Sequence, residues 1–304
     1  MLQHWIDDVP NLPESGSVTQ VPVGELLRDV GVVPRRALVP VESAQAFLDA
    51  TGRTIGSRLQ AAVVARLAGE PGKWSVYAAP MGSPVPEIAV DVDVVVSAAS
   101  LWKLVLLVES FRQRAVAGLD FRAQLEMTQD VVERVDPPAS LAPGQRITIE
   151  SALEKSMTIS DNTTAVLLGD HLGYFNMART LEELSLVETD VVTRHPLTTA
   201  RETAMLLEVA VGARPANWER TMADVLAMRG LLLRETRNQR IPARLPVGTS
   251  VAHKTGDLVG VSNDAGVVYA STGPFTLVIL ANSVPLPVRA ANTAADIASM
   301  VMGA

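Results

Sequence analysis

The densest apolar run in the chain is SLWKLVLLVESFRQRAVAG, residues 100–118, which predicts a strongly apolar helix. Two strand-like runs, KWSVYAAP and EIAVDVDVVV, come just before it. Upstream, residues 43–69 carry a helical period, with a break expected near Gly52 or Gly56. Residues 1–42 are rich in Pro, Val and Gly, hold one short helical pattern (VGELLRDVG), and read as an N-terminal arm. From about 119 to 249 the pattern is mostly helical, with a Pro-rich interruption at VDPPASLAPGQRIT. Strand patterns return in SVAHKTGDL, AGVVYAS and PFTLVILANSV, and a last helix is expected over PVRAANTAADIASMVMGA. This order predicts an α+β protein whose sheet is assembled from both ends of residues 43–304. An α/β lobe would hold 43–97 and 250–304, with an all-helical lobe, 98–249, inserted between. No internal repeat is visible.

Composition narrows the chemistry. The 304 residues are 48% hydrophobic but only 4% aromatic, so the core must be mainly Leu, Val and Ala. Cysteine is absent, which removes disulfides, thiolate catalysis and Cys-bound metals. The four histidines, His4, His171, His195 and His253, are scattered without metal-ligand spacing, so neither a metal nor a cofactor is expected. With a net charge of −7 and no basic block, nucleic acid is not the expected partner. No apolar stretch reaches the ~18 residues of a membrane span. The first residues lack the basic start and apolar run of a secretion signal. The protein is then either cytoplasmic or exported with its leader removed, and its oligomeric state is open. Of 26 basic residues only Lys73, Lys103, Lys155 and Lys254 are lysine. Lysine can lose its proton at an accessible pKa and arginine cannot, so these four positions merit attention.

Three short motifs use two of those lysines. Ser100 opens the apolar helix, where a helix N-terminus favours an oxyanion, and Lys103 lies one turn on along the same face. Leu101, Leu104, Val105, Leu106 and Leu107 would keep Lys103 dry, and desolvation lowers a lysine pKa. A neutral amine could take the Ser100 proton. Ser160-Asp161-Asn162 forms a polar junction between two apolar helical segments. Lys254-Thr255-Gly256 places a lysine inside an otherwise apolar strand, with a glycine that permits close approach at the strand edge. Each motif alone has a plain structural reading. Ser100 could be an N-cap, TISDNTT another N-cap, and Lys254 an edge-strand charge.

In this order the motifs S-x-x-K, S-D-N and K-T-G resemble those of the class A β-lactamase and penicillin-binding (penicilloyl-serine transferase) superfamily, over roughly residues 43–304. SMTISDNTTAVLL is especially similar to the class A branch. The resemblance implies a serine hydrolase in which Ser100 becomes acylated and Lys103 is general base, directly or through water. It implies that Ser160 relays a proton to the leaving group and that Asn162 positions Lys103 and substrate. Lys254 and Thr255 would bind a substrate carboxylate, beside Gly256, and the backbone N–H groups of Ser100 and Asp257 would form the oxyanion hole. An acidic side chain at Asp257 departs from the family, which mostly has a small residue there. It either points away or rejects anionic substrates. The Ω-loop also departs: LSLVETDVVTRHPLTTARETAMLLE is shorter than its family counterpart and lacks an E-x-x-L-N pattern. Glu188, Asp190 and His195 are the nearby candidates for a substitute deacylation base. The expected substrate is a small molecule: a β-lactam hydrolysed slowly, a D-alanyl-D-alanine peptide, or an ester. A non-catalytic penicillin-binding scaffold, with residues 1–42 docking a partner, is a third reading.

Overall fold

A computed structural model describes residues 55–135 and 138–303. The arm expected over 1–42 and the start of the 43–69 helix lie outside the described residues. The first helix, α1 (Ile55–Leu67), leads into β1 (Lys73–Pro80), β2 (Ile88–Val90) and β3 (Val96–Ser97). The run EIAVDVDVVV is therefore not one strand. Asp91, at a φ of +45°, breaks it in the left-handed region that an L side chain rarely adopts.

A 3₁₀ turn, Ala99–Trp102, then passes into α2 (Lys103–Ala117). Helices α3 (Gln129–Arg134), α4 (Ile149–Thr158), α5 (Asn162–Leu172), α6 (Tyr174–Glu183), α7 (Ala200–Val211) and α8 (Met222–Leu233) follow. Short strands β4 (Gln124–Glu126), β5 (Arg146–Thr148) and β6 (Leu197–Thr198) lie among them. The chain ends with β7 (Ser250–Leu258), β8 (Val261–Ala270), β9 (Gly273–Asn282) and α9 (Pro287–Met302).

The main sheet is antiparallel in the order β2-β1-β9-β8-β7, so it is built from both ends of the described chain around the helical insertion. This is the α+β architecture expected from the sequence. Successive side chains of a strand face opposite ways, and here both faces are covered. Val76, Ala78, Leu277 and Ile279 pack with α1 and α9. Tyr77, Ala79, Val278 and Leu280 pack with the helical lobe. Double coverage explains why β1 and β9 read as nearly continuous apolar runs.

Inside the helical lobe α2 is enclosed by α4, α5, α6 and α7. Every residue from Lys103 to Phe111 is buried, which accounts for the apolar pattern. Each buried leucine there contributes about 2 kcal/mol. The helix stops at Gly118, whose φ of 68° supplies the left-handed C-cap. Among the described residues no helix is long and apolar enough to cross a membrane.

Candidate active site

Ser100 sits half-buried on the 3₁₀ turn that precedes α2, on the floor of a cleft of about 730 Å³. Several restraints fix that turn. On β8, Asn263 is fully buried and donates from Nδ2 to the carbonyls of Ser97 and Ala98, at 2.9 and 3.3 Å. Its Oδ1 accepts from the Ala281 amide at 3.0 Å, standing in for a backbone acceptor. The Ala98 amide donates to Pro196 at 2.9 Å, tying the turn to the loop before α7. Ala99 is held at a φ of 46°, a strained value for a residue with a Cβ. Gly256 completes the arrangement: a Cβ there would lie 2.8 Å from the Ala98 carbonyl oxygen. The close approach that this glycine permits is that of the Ser100 turn to β7. Among the described residues the Ser100 hydroxyl has no hydrogen-bond partner.

One turn on, Lys103 is wholly buried. Its Nζ donates to the Ser160 carbonyl at 2.7 Å, to Ser160 Oγ at 3.2 Å and to Asn162 Oδ1 at 2.8 Å. The first and second motifs therefore meet directly. Burial pushes the Lys103 pKa well below the ordinary lysine value, and the charges of Lys254 and Arg237 add to the effect. Ser160 joins α4 to α5 with a φ of 58°. Asp161 is the N-cap of α5, its Oδ1 accepting from the Thr164 amide at 2.7 Å. The structural reading of this motif thus holds alongside the clustering of Ser160 and Asn162 at Lys103.

The third motif is placed differently. Lys254 and Thr255 are both fully buried behind the cleft wall. Lys254 Nζ donates to Glu235 Oε2 at 2.6 Å and to its neighbouring carbonyl, Thr255 O, at 3.1 Å. Thr255 Oγ1 lies 3.5 Å from the same carboxylate oxygen. Burial lowers the Lys254 pKa while Glu235 works against the shift. No hydrogen bond joins Lys254 to Ser160 among the described residues; its charge contributes, after burial, to lowering the Lys103 pKa.

Glu235 belongs to a segment after α8 that lines the β7 edge, and the sequence reading missed it. Thr236 anchors the segment through its amide and hydroxyl on the Thr158 carbonyl, at 2.9 and 3.0 Å, just before Ser160. Further along, Arg237 and Arg240 both donate to the Asp257 carboxylate, and Arg240 also donates to Ser262 Oγ at 2.9 Å. Asp257 lines the cleft, and its carboxylate is half-exposed between the two arginines. Asn238 Oδ1 and Asp264 Oδ1 each lie 3.0 Å from a ring nitrogen of buried His253. The only hint of this segment in the sequence is a polar stretch, RETRNQR, between two apolar elements.

Of the three candidate deacylation bases, only His195 lines the cleft. Glu188 is exposed, and Asp190 uses Oδ1 to accept from the Val192 amide at 2.8 Å inside its own turn. The loop that carries them is pinned by buried Glu202, which accepts from the Glu188 amide at 3.0 Å and from the Thr189 hydroxyl at 2.6 Å. Trp102, Val166, Tyr174 and Leu258 give the cleft an apolar side. Among the described residues no group of three or more His, Asp or Glu could hold a metal ion.

A model of the family described as Beta-lactamase enzyme family matches residues 56–304. The fold is similar to that of PBP-A, at a TM-score of 0.73 and 23% identity, covering 81% of this chain and 95% of that one. It is similar also to a β-lactamase from Sphaerobacter thermophilus DSM 20745, at a TM-score of 0.71 and 21% identity, covering 81% and 96%. A variant of PBP-A described as an acyl-enzyme complex with penicillin G matches at a TM-score of 0.73 and 23% identity, covering 81% and 96%. No protein with a curated description matches the sequence.

Proposed function

Because the chain belongs to the β-lactamase enzyme family, we propose that it is a serine acyl hydrolase in which Ser100 attacks a β-lactam or a related amide or ester. The observation that carries this reading is the buried Lys103, one turn from a cleft-floor serine and bonded to both Ser160 and Asn162. As an ammonium, Lys103 uses its three N–H groups on three acceptors. As a neutral amine it keeps two, on the Ser160 carbonyl and Asn162, and its lone pair faces the third position, where Ser160 Oγ lies at 3.2 Å. Ser100 Oγ would then attack the acyl carbonyl as its proton passes to Lys103, directly or through water. When the tetrahedral intermediate collapses, the C–N or C–O bond breaks and Ser160 passes a proton to the leaving atom. The Ser100 and Asp257 amides would hold the oxyanion, and the positive end of α2 supports it.

Deacylation is the slow half of the reading. Of the three candidate bases only His195 lines the cleft; neither carboxylate, Glu188 or Asp190, does. A β-lactam that acylates Ser100 should therefore stay attached far longer than in an efficient β-lactamase. The same observation supports a second reading, an esterase or D-alanyl-D-alanine peptidase on this scaffold, whose acyl-enzyme is less hindered toward water. Intact-mass detection of a penicilloyl adduct, absent in Ser100→Ala, tests the first step. A nitrocefin burst near one equivalent followed by slow turnover tests the second. Sustained turnover at hundreds per second would refute slow deacylation, and no adduct with any acyl donor would refute the Ser100 role.

A further inference from the structure

At the cleft wall beside Ser100, two of the protein's own carboxylates, Glu235 and Asp257, occupy the cations that a substrate carboxylate would need. Lys254, fully buried, is already paired with Glu235 at 2.6 Å. Arg240 is nearly buried, with a side-chain exposure of 7%, and its guanidinium is divided between Ser262 and Asp257. Arg237 is open to solvent but also donates to Asp257, at 3.4 Å. Asp257 itself is 39% exposed and lines the same cleft as Ser100 and Asn162. An incoming anion at this wall meets a carboxylate as exposed as Arg237, and the cations around it are already engaged. Like charges brought together in a partly desolvated cleft repel, and the anion would also give up its hydration without gaining a free partner.

We propose that Asp257 is a specificity-determining residue that selects acyl donors carrying no carboxylate next to the scissile bond, such as neutral esters and amides, over anionic ones. The proposal rests on the acyl-transfer reading of Ser100 and narrows it, favouring neutral ester and amide donors over β-lactams and D-alanyl-D-alanine peptides, which carry that carboxylate and would acylate more slowly. The backbone amide of Asp257 can serve the oxyanion while its side chain sets this preference. Exclusion of a competing charge is a recognised route to specificity, because discrimination needs only a difference between two affinities.

The test uses donors compared at the same scissile ester, read by the mass of the phenylacetylglycyl adduct: a phenylacetylglycyl ester of D-lactate with a free carboxylate, and its methyl ester. Acylation of the full chain is followed by intact mass, with Ser100→Ala as the control. The wild type should acylate at least tenfold faster with the methyl ester. Asp257→Ser, which frees both arginines, should shift the ratio of the two rates at least tenfold toward the carboxylate donor. Asp257→Asn, which keeps an acceptor for Arg240 but no charge, should shift it in the same direction. The ratio is the readout because a general disturbance of the site slows both donors alike. Equal rates in the wild type, or a ratio unchanged in both variants, would overturn the proposal and leave the Ser100 reading intact. Failure of both donors to give an adduct dependent on Ser100 would overturn the Ser100 reading and this proposal with it.

Discussion

Replacing Glu235 by Gln should destabilise the protein in a way that depends on pH. The carboxylate and Lys254 Nζ are 2.6 Å apart with neither side chain exposed. At an effective dielectric of about 20 their attraction is ~6 kcal/mol. Desolvation of both ions offsets much of that, but removing one partner leaves the other charge buried alone, which costs about 3–5 kcal/mol. With a urea m-value of about 2–3 kcal/mol/M, the midpoint at neutral pH should fall by about 1–2 M. The pH dependence follows from Lys254. Its folded pKa already lies below the ordinary value of 10.5 because of burial, and loss of Glu235 lowers it further. Between the variant's Lys254 pKa and the wild type's, the folded wild type holds one more proton than the folded variant. The deficit should therefore shrink by up to ~1.4 kcal/mol for each pH unit in that window. Urea titrations at about pH 7 and about pH 10 measure it. A variant as stable as the wild type at neutral pH, or a deficit that does not change with pH, would show that the pair is not a buried ion pair.

Four further outcomes follow from the same geometry. Acylation needs neutral Lys103, so its rate should rise with pH and level off well below 10.5, and Lys103→Arg should abolish it at every pH; single-turnover rates across pH measure this. Stability should also rise with pH toward 10.5 on account of Lys103, because there the unfolded chain binds the extra proton. Gly256→Ala puts a Cβ 2.8 Å from the Ala98 carbonyl oxygen, so the Ser100 turn must move; a loss of about 1–3 kcal/mol in urea unfolding and at least a tenfold slower acylation are expected. Asp161→Ala removes the cap on the Thr164 amide and should cost about 1 kcal/mol in thermal unfolding while loosening Ser160 and Asn162 around Lys103.

The amino-acid order alone determined the architecture and the identity of Ser100, Lys103, Ser160 and Asn162 as a candidate site. That was possible because strands buried on both faces and a helix buried all round leave continuous apolar runs, against which a lone lysine or a polar triplet stands out. Strands β1 and β7 coincide with the runs KWSVYAAP and SVAHKTGDL for the same reason. What only the folded chain decided is the electrostatic partnership at the cleft wall. Glu235, Arg237 and Arg240 look like an ordinary polar connection until the sheet edge brings them to Lys254 and Asp257. Asn263 likewise acts on a turn 165 residues away in sequence. Local pattern records which side chains leave water, but the partner of a buried charge is set by where distant segments meet. Charge pairing decays over a few ångströms of space and leaves no periodic trace along the chain.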